Sequence, residues 1–435
     1  MKKVDDFIHA ELIQQQIPGI AIGIFHNGQP LHLQGYGSAN IEHHIPVTIK
    51  TVFQSASIGK MFTAMAVMLL VEDKKIMLDQ SITSYLPSAP HNWQAITIRH
   101  LLTHTSGMGA VEIDTQQEFT DDEYLDQYYA ATMEFLPGER WSYSNSGYST
   151  LGFILNKVAE KHYGDILKER VFIPAGMNSA RIISDADIVL HRSAGYEYLH
   201  GELKNQPWVS KSANTLAEGS LYLSLEDYLK WDRIVATRAL LSKDSWEQIL
   251  SPVELINGQC YPYGFGWDLN HTQENTLLIG HEGSWQGFRT ALLRYDHEGI
   301  TFVVLANASH ANVGNILKGI AERFAPSFKQ NKDEIIFDEY PSLTSALVNE
   351  LHLITNQKKI EKVETNITLH ALIDLLQTII KVKVIKQLYL IHDQPNGDHL
   401  DRVYKIKFKT KVLTLYSSFN MTRMSLHSIF IYIEE

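Results

Sequence analysis

From Met61 to Val71 the chain runs Met-Phe-Thr-Ala-Met-Ala-Val-Met-Leu-Leu-Val, eleven residues without a charge. Such a run exceeds an ordinary strand and falls short of the roughly 18 residues that signal a membrane span. It suits a helix buried on all sides, so the rest of the chain must supply a protein wall around it. Directly before the run stand Ser57 and Lys60, which a helix places one turn apart on one face. A hydroxyl beside an amine at the positive end of a buried helix has the makings of an activated nucleophile. The spacing equally fits a serine that caps the helix and a lysine that reaches the surface along its alkyl stem. Ser57-x-x-Lys60 is the single Ser-x-x-Lys in the sequence.

The wall is available. A chain of 435 residues, 44% apolar and 20% charged, can build a large core and a second domain, and is neither disordered nor fibrous in composition. No uncharged apolar stretch is long enough for a membrane helix. The start, Met1-Lys2-Lys3-Val4-Asp5-Asp6, lacks the apolar core of a secretory signal. The expectation is a cytoplasmic protein, with a periplasmic or secreted chain that begins after its signal as the alternative. One cysteine, Cys260, excludes an internal disulfide and a cysteine-based metal cluster. Charge is uneven. Residues 1–327 hold 24 Lys and Arg against 36 Asp and Glu, and residues 328–435 hold 14 against 13. An acidic body disfavours nucleic acid as a partner, because phosphate binding needs a basic footprint.

Residues 4–16 have helical spacing and stop at Pro18-Gly19. A strand over Ile20–Phe25, a turn at His26-Asn27-Gly28 and a strand near Leu31–Gln34 follow. Gly35–Lys50 reads as loop, and the buried helix covers 57–71. A short helix over Thr97–Gly107, a charged surface helix over Glu118–Tyr129 and a helix over Tyr148–Tyr163 come next. The stretch 171–215 reads as irregular, and Ser224–Ile234 is helical again. Strands are expected at Thr276–Ile279, Phe288–Tyr295 and Ile300–Ala306, then a helix at about 312–324. The fold class that follows is α+β, an antiparallel sheet of terminal strands flanked by helices. After a polar, charged linker, residues 335–435 read as a small α+β domain with helices at 342–352 and 368–380. Strands run over Val382–His392 and from Arg402 on, with a turn at Gln394–Gly397. Val403–Lys409 alternates apolar residues with lysines. His392-Asp393 beside the turn reads as a solvated pair.

Two further elements could carry chemistry. Tyr143-Ser144-Asn145 is the single Tyr-x-Asn. A phenol near a lysine ionises more readily and can accept or relay a proton, and an amide can both donate and accept. The competing picture is a loop before a helix, with Asn145 as its cap. His281-Glu282-Gly283, followed by Ser284, is weaker, because His26-Asn27-Gly28 and His297-Glu298-Gly299 share its pattern at hairpin turns. At a strand, Gly283 would let a substrate backbone approach closely.

In that order, Ser57-x-x-Lys60, Tyr143-x-Asn145 and His281-x-Gly283 resemble the serine β-lactamase and penicillin-binding-protein superfamily, in its class C-like branch. The stretches Ile98–Gly107, Leu136-Pro137-Gly138, Tyr143–Gly152 and Tyr263–Trp267 look like that family too. The resemblance covers about residues 4–326 and so a hydrolase domain at 1–327, and stops before 335–435. It implies a two-lobed fold, a sheet with flanking helices plus an all-helical lobe, with the site between the lobes. It implies Ser57 as the acylated nucleophile, Lys60 and Tyr143 sharing the base role, and Tyr143 activating water in deacylation. Asn145 would hold the substrate amide or ester, and the backbone N–H groups of Ser57 and Ser284 would form the oxyanion hole. His281 and Gly283 would line the substrate.

The third motif departs from the Lys-Thr-Gly of such β-lactamases. His281 is charged only conditionally, and Glu282 is read as facing outward. The His-x-Gly variant looks like the family's carboxylesterases, D-amino-acid peptidases and carboxypeptidases, so at most weak β-lactam hydrolysis is expected. The substrate would be a small molecule or peptide, an ester, an amide or a β-lactam. The rival reading is a catalytically silent penicillin-binding-like protein for peptide or cell-wall binding and assembly, which residues 335–435 would serve. No cofactor and no metal is expected, since Gly-rich phosphate loops and Gly-x-Ser-x-Gly are missing and His43-His44 lies without a carboxylate cluster beside it.

Overall fold

The apolar run is a helix walled in on every side. The computed structural model describes residues 1–182, 188–199, 201–258, 260–271, 276–325 and 328, then 363–365, 388–396, 399–408, 411–420 and 425–434. The chain opens with α1 (Lys2–Gln14), β1 (Gly19–His26), β2 (Gln29–Asn40), β3 (Ile45–Pro46) and β4 (Val52–Gln54). A 3-10 turn over Ala56–Ile58 leads into α2 (Gly59–Glu72), buried from Gly59 to Leu70. Then come α3 (Ile98–Leu102), α4 (Asp121–Ala130), α5 (Asn145–Ala159), α6 (Tyr163–Leu167) and α7 (Ile173–Ala175). Short strands β5 (Arg181–Ile182), β6 (Tyr196–Leu199), β7 (Glu202–Asn205) and β8 (Leu221–Ser224) precede α8 (Leu225–Thr237) and α9 (Lys243–Ile249). The strands β9 (Val253–Glu254), β10 (Cys260–Tyr261), β11 (Asp268–His271), β12 (Leu277–Trp285), β13 (Phe288–Tyr295) and β14 (Ile300–Ala306) lead to α10 (Val313–Phe324).

N-terminal and C-terminal strands meet in one antiparallel sheet of order β11-β12-β13-β14-β1-β2-β3. The period-two alternation of its strands sorts side chains into two cores. Ile20, Ile22 and Ile24 of β1 and Phe302 and Val304 of β14 pack under α1 and α10. Ala21 and Phe25 of β1, and Val303 and Leu305 of β14, join the core that surrounds α2. Covered on both faces, β14 is a continuous apolar run, all seven residues buried. The helix α10 shows the amphipathic counterpart, burying Val313, Ile316, Leu317, Ile320 and Ala321 at helical spacing.

Several expectations are corrected. Gly35–Asn40 is not loop but the continuation of β2, whose mostly half-exposed side chains carry no apolar alternation to read. The helix expected over Thr97–Gly107 ends at Leu102, and His104 follows with φ +57°. The stretch 171–215 is not irregular throughout. The helical segment from α6 continues through a π-helical turn, Lys168–Phe172, into α7, and β6 and β7 form a hairpin. The second lobe is helical apart from strands of two to four residues, too short for a sequence pattern, such as the three-stranded β4-β8-β5 sheet.

One buried ion pair ties the turn of the β1–β2 hairpin to β13 and α8. Arg294 Nη1 donates to Asp232 Oδ1 at 2.9 Å, and the two side chains are 3% and 1% exposed. Arg294 Nη2 donates to Asn27 at 2.9 Å, and the Gly28 N–H donates to Asp232 at 2.6 Å. Arg294 Nε also donates to Asp296 Oδ1 at 2.9 Å. Without Asp232, however, its Nη1 and the Gly28 N–H lose their carboxylate acceptor, so Asp232→Ala is expected to destabilise this unit by about 3 kcal/mol. Equilibrium urea unfolding reads the effect as a lowered midpoint, and a midpoint matching wild type would contradict it.

The chain divides into two compact units, Met1–Lys329 and Gln330–Glu435. In the second, β15 (Val363–Thr365), β16 (Leu388–Asn396), β17 (His399–Phe408), β18 (Lys411–Asn420) and β19 (Ser425–Glu434) form a sheet of order β15-β19-β18-β17-β16. Gln394–Asn396, expected in a turn, lie within β16 instead, where Asn396 pairs with His399 and Pro395 with Leu400. Proline is tolerated there because β16 is an edge strand of the described sheet. His392 and Asp393 lie within β16. The helices expected at 342–352 and 368–380 lie outside the described residues.

Candidate active site

Ser57 sits in the 3-10 turn that feeds α2, half-exposed between the buried Ala56 and Ile58. Ala56 has φ +49°, a left-handed conformation that costs a non-glycine residue about 1–2 kcal/mol. Strand β12 clamps this turn. Thr290 Oγ1, beside Gly283 on the neighbouring strand, donates to Ser55 O at 2.7 Å. A Cβ on Gly283 would fall 2.4 Å from Ser55 O and 3.0 Å from Ala56 Cβ. On the side where a Gly283 side chain would stand, the space is thus filled by the chain's own Ser55–Ala56.

Lys60 does not reach the surface. It is fully buried, and its three N–H donors meet three acceptors. Nζ donates to Ser57 Oγ at 3.1 Å, to Asn145 Oδ1 at 2.8 Å and to Glu218 O at 2.7 Å. Desolvation lowers its pKa to about 7, opposed by the Glu218 carboxylate. A mixture of amine and ammonium at neutral pH follows, where an exposed lysine would be fully charged. Asn145 is the first residue of α5 and not its cap, since Ser144 Oγ accepts from the Gly147 N–H. With Oδ1 taken by Lys60, its NH₂ remains as the donor to offer. The Tyr143 ring centroid lies 4.7 Å from Nζ and 4.4 Å from that of His104, the two ring planes tilted by 37°.

His281 is buried, and both of its ring nitrogens are committed inside the protein. Nδ1 meets the Glu282 carbonyl, which can only accept, so Nδ1 carries the hydrogen. Nε2 is then an acceptor and takes the Tyr263 hydroxyl at 3.1 Å. Tyr263 in turn faces His104 Nε2 at 3.2 Å, while His104 Nδ1 accepts the Ser144 N–H at 3.0 Å. Every donor in this chain of three side chains is therefore assigned. Burial first, then the Lys60 charge, drives the His281 pKa down to about 3. Burial, with Lys60 and His281 beside it, holds His104 well below the usual imidazole range. Both imidazoles are neutral at pH 7, and the conditional charge left open at His281 resolves to none.

Alternation along β12 puts Glu282 and Ser284 on the other face. A Cβ on Gly314, in the first turn of α10, would fall 2.4 Å from Glu282 Oε1. Glu282 thus turns away from Ser57 and toward a helix N-terminus, which favours an anion. The Ser284 side chain is exposed on that face, which leaves its backbone N–H as the group it can offer the site. The structure brings together Ser57, Lys60, Tyr143, Asn145, His281 and Gly283. Sequence reading missed His104, Tyr263 and Glu218 as members of the site. His104 and Tyr263 lay inside stretches noted only as context, and nothing local marks Glu218.

Residues 4–325 match the family described as Beta-lactamase. Penicillin-binding protein 4* of Bacillus subtilis (strain 168) is 31% identical over 305 residues, covering 64% of this chain and 66% of that protein. A D-aminopeptidase of Gluconobacter oxydans (strain 621H) is 27% identical over 307 residues, 67% of this chain and 56% of the relative. The chain spans less than two thirds of the length of each of these curated relatives. The solved octameric penicillin-binding protein homologue from Pyrococcus abyssi shares the fold with a TM-score of 0.66 at 22% identity, covering 96% of both chains.

Proposed function

Because the chain belongs to the Beta-lactamase family, a family of serine hydrolases, we propose that it hydrolyses esters or amides through a covalent acyl-enzyme on Ser57. Carboxylesterase and D-amino-acid peptidase activity come first in this reading, and β-lactam hydrolysis is at most slow. The observation that carries it is the buried Lys60 amine 3.1 Å from an accessible serine hydroxyl. In the neutral form the amine takes the Ser57 proton, directly or through Tyr143, as Oγ attacks the substrate carbonyl. The tetrahedral oxygen is held by the Ser57 and Ser284 backbone N–H groups, each such donor contributing about 3 kcal/mol. Collapse expels an alcohol or amine, which takes back the proton, and water activated beside Tyr143 then hydrolyses the ester on Ser57.

The neutral state of His281 narrows the substrate. With one nitrogen on Glu282 O and the other on Tyr263, it has neither charge nor N–H for a carboxylate next to the scissile bond. Carboxypeptidase substrates and β-lactams both carry that carboxylate. The D-aminopeptidase relative supports the same preference. In this reading residues 1–327 are the hydrolase domain, and 335–435 form a second domain with no part in the chemistry, a division supported by the two compact units.

A fluorophosphonate probe is expected to leave its adduct on the Ser57 peptide by mass spectrometry. In a substrate panel, p-nitrophenyl esters and D-amino-acid amides are expected to exceed D-Ala-D-Ala peptides and nitrocefin in kcat/KM by about tenfold or more, the worth of a missing charged contact. An unlabelled Ser57 would sink the acyl-enzyme, and a preference for nitrocefin would sink the substrate assignment.

A further inference from the structure

Glu218 meets Lys60 through its backbone and acts on it through its charge. Its backbone carbonyl accepts from Nζ at 2.7 Å, so its side chain starts within one side-chain length of the amine. Its carboxylate is held in place by Ser149 Oγ, which donates to Oε2 at 2.9 Å. Ser149 stands one helical turn after Asn145 on α5, so one face of this helix grips both Lys60 and the carboxylate beside it. The other groups around Lys60 are His104, His281 and the Tyr143 and Tyr148 rings. Around Glu218 stand Tyr124 and Tyr128 of α4 and Tyr163 of α6, whose hydroxyls are made harder to ionise by burial first, and then by its charge. Among these groups Glu218 is the one carboxyl group.

We propose that Glu218 is a positioning residue that sets the proton occupancy of Lys60, acting through a carboxylate that Ser149 holds beside the amine. This rests on the acyl-enzyme reading of Ser57 and Lys60. Burial favours the neutral form of both partners, raising Glu218 and lowering Lys60, while their attraction and the Ser149 hydrogen bond favour the ion pair. Opposition of that kind leaves Lys60 titrating near neutrality, where an acylation base is most effective. Without the carboxylate, desolvation would be opposed only by the three acceptors on Nζ, and Lys60 would lose its proton at lower pH.

The test is the pH dependence of Ser57 acylation, read as the p-nitrophenyl acetate burst rate in the full chain. Glu218→Gln keeps the shape and an acceptor for Ser149 but removes the charge. The limb that reports Lys60 is expected to move to lower pH by about one unit. It is the acid limb if neutral Lys60 is the base, and the alkaline limb if Tyr143 is the base beside charged Lys60. Ser149→Ala, which weakens the carboxylate without removing it, is expected to shift the same limb in the same direction by less. Glu218→Asp, which keeps the charge, is expected to stay nearer wild type than Glu218→Gln. A merely structural role would lower the burst rate and leave both limbs in place. Unmoved limbs in Glu218→Gln and Ser149→Ala overturn the role of Glu218 alone, and a wild type with no burst at any pH overturns the acyl-enzyme reading and this proposal together.

Discussion

Lys60→Ala is expected to slow acylation of Ser57 by at least about 10⁴-fold, the scale seen when one member of a catalytic unit is removed. The reason is geometric as much as electrostatic. Nζ donates to Ser57 Oγ, Asn145 Oδ1 and Glu218 O, so its loss unpairs three acceptors, the nucleophile among them. The left-handed backbone at Ala56 and the Thr290–Ser55 hydrogen bond do not depend on Lys60, so the serine itself should stay in place. Residues that act as a unit are far from additive, and Ser57→Ala with Lys60→Ala should be little worse than Ser57→Ala alone. Burst kinetics with a p-nitrophenyl ester measure this. A Lys60→Ala burst within about tenfold of wild type would move the base role to Tyr143.

Gly283→Ala is expected to lower kcat/KM by about 100-fold, the scale of a small misplacement of reacting groups. The added methyl would lie 2.4 Å from both Ser55 O and Thr290 Oγ1. The first of these is backbone and the second is already committed to Ser55 O, so neither yields cheaply. What must move is the turn that carries Ser57. The sheet is anchored elsewhere, and a far-ultraviolet circular dichroism spectrum like that of wild type should accompany the lost activity. Wild-type kcat/KM in Gly283→Ala would show that the clamp does not place the nucleophile.

Much of the architecture was legible because it rests on near neighbours in sequence. The buried α2 follows from an uncharged run, α10 from apolar residues at helical spacing, and β1, β13 and β14 from short apolar runs between turns. Elements whose signal is weak at short range were lost. The outer part of β2 carries no alternation because it is mostly half-exposed, and strands of two to four residues such as β5 and β8 hold too few positions for a period. In the second unit the hairpin turn was misplaced because Pro395 looks like a turn residue, although an edge strand accepts it.

The site divides along the same line. The sequence alone put a serine and a lysine three residues apart where a buried helix begins, and singled out Tyr143, Asn145 and His281 as candidates to join them. Ser57 itself falls in the 3-10 turn before the helix. Only the tertiary structure decided their electrical state. Lys60 is poised near neutrality and His281 is neutral because burial strips water from both and because particular acceptors and donors face them. Those partners, Glu218, Tyr263 and His104, come from remote segments, and no local pattern reports which distant atom will stand within hydrogen-bond reach. Spacing along a chain encodes what lies within a turn or two, whereas a pKa is set by everything within a few ångströms in space.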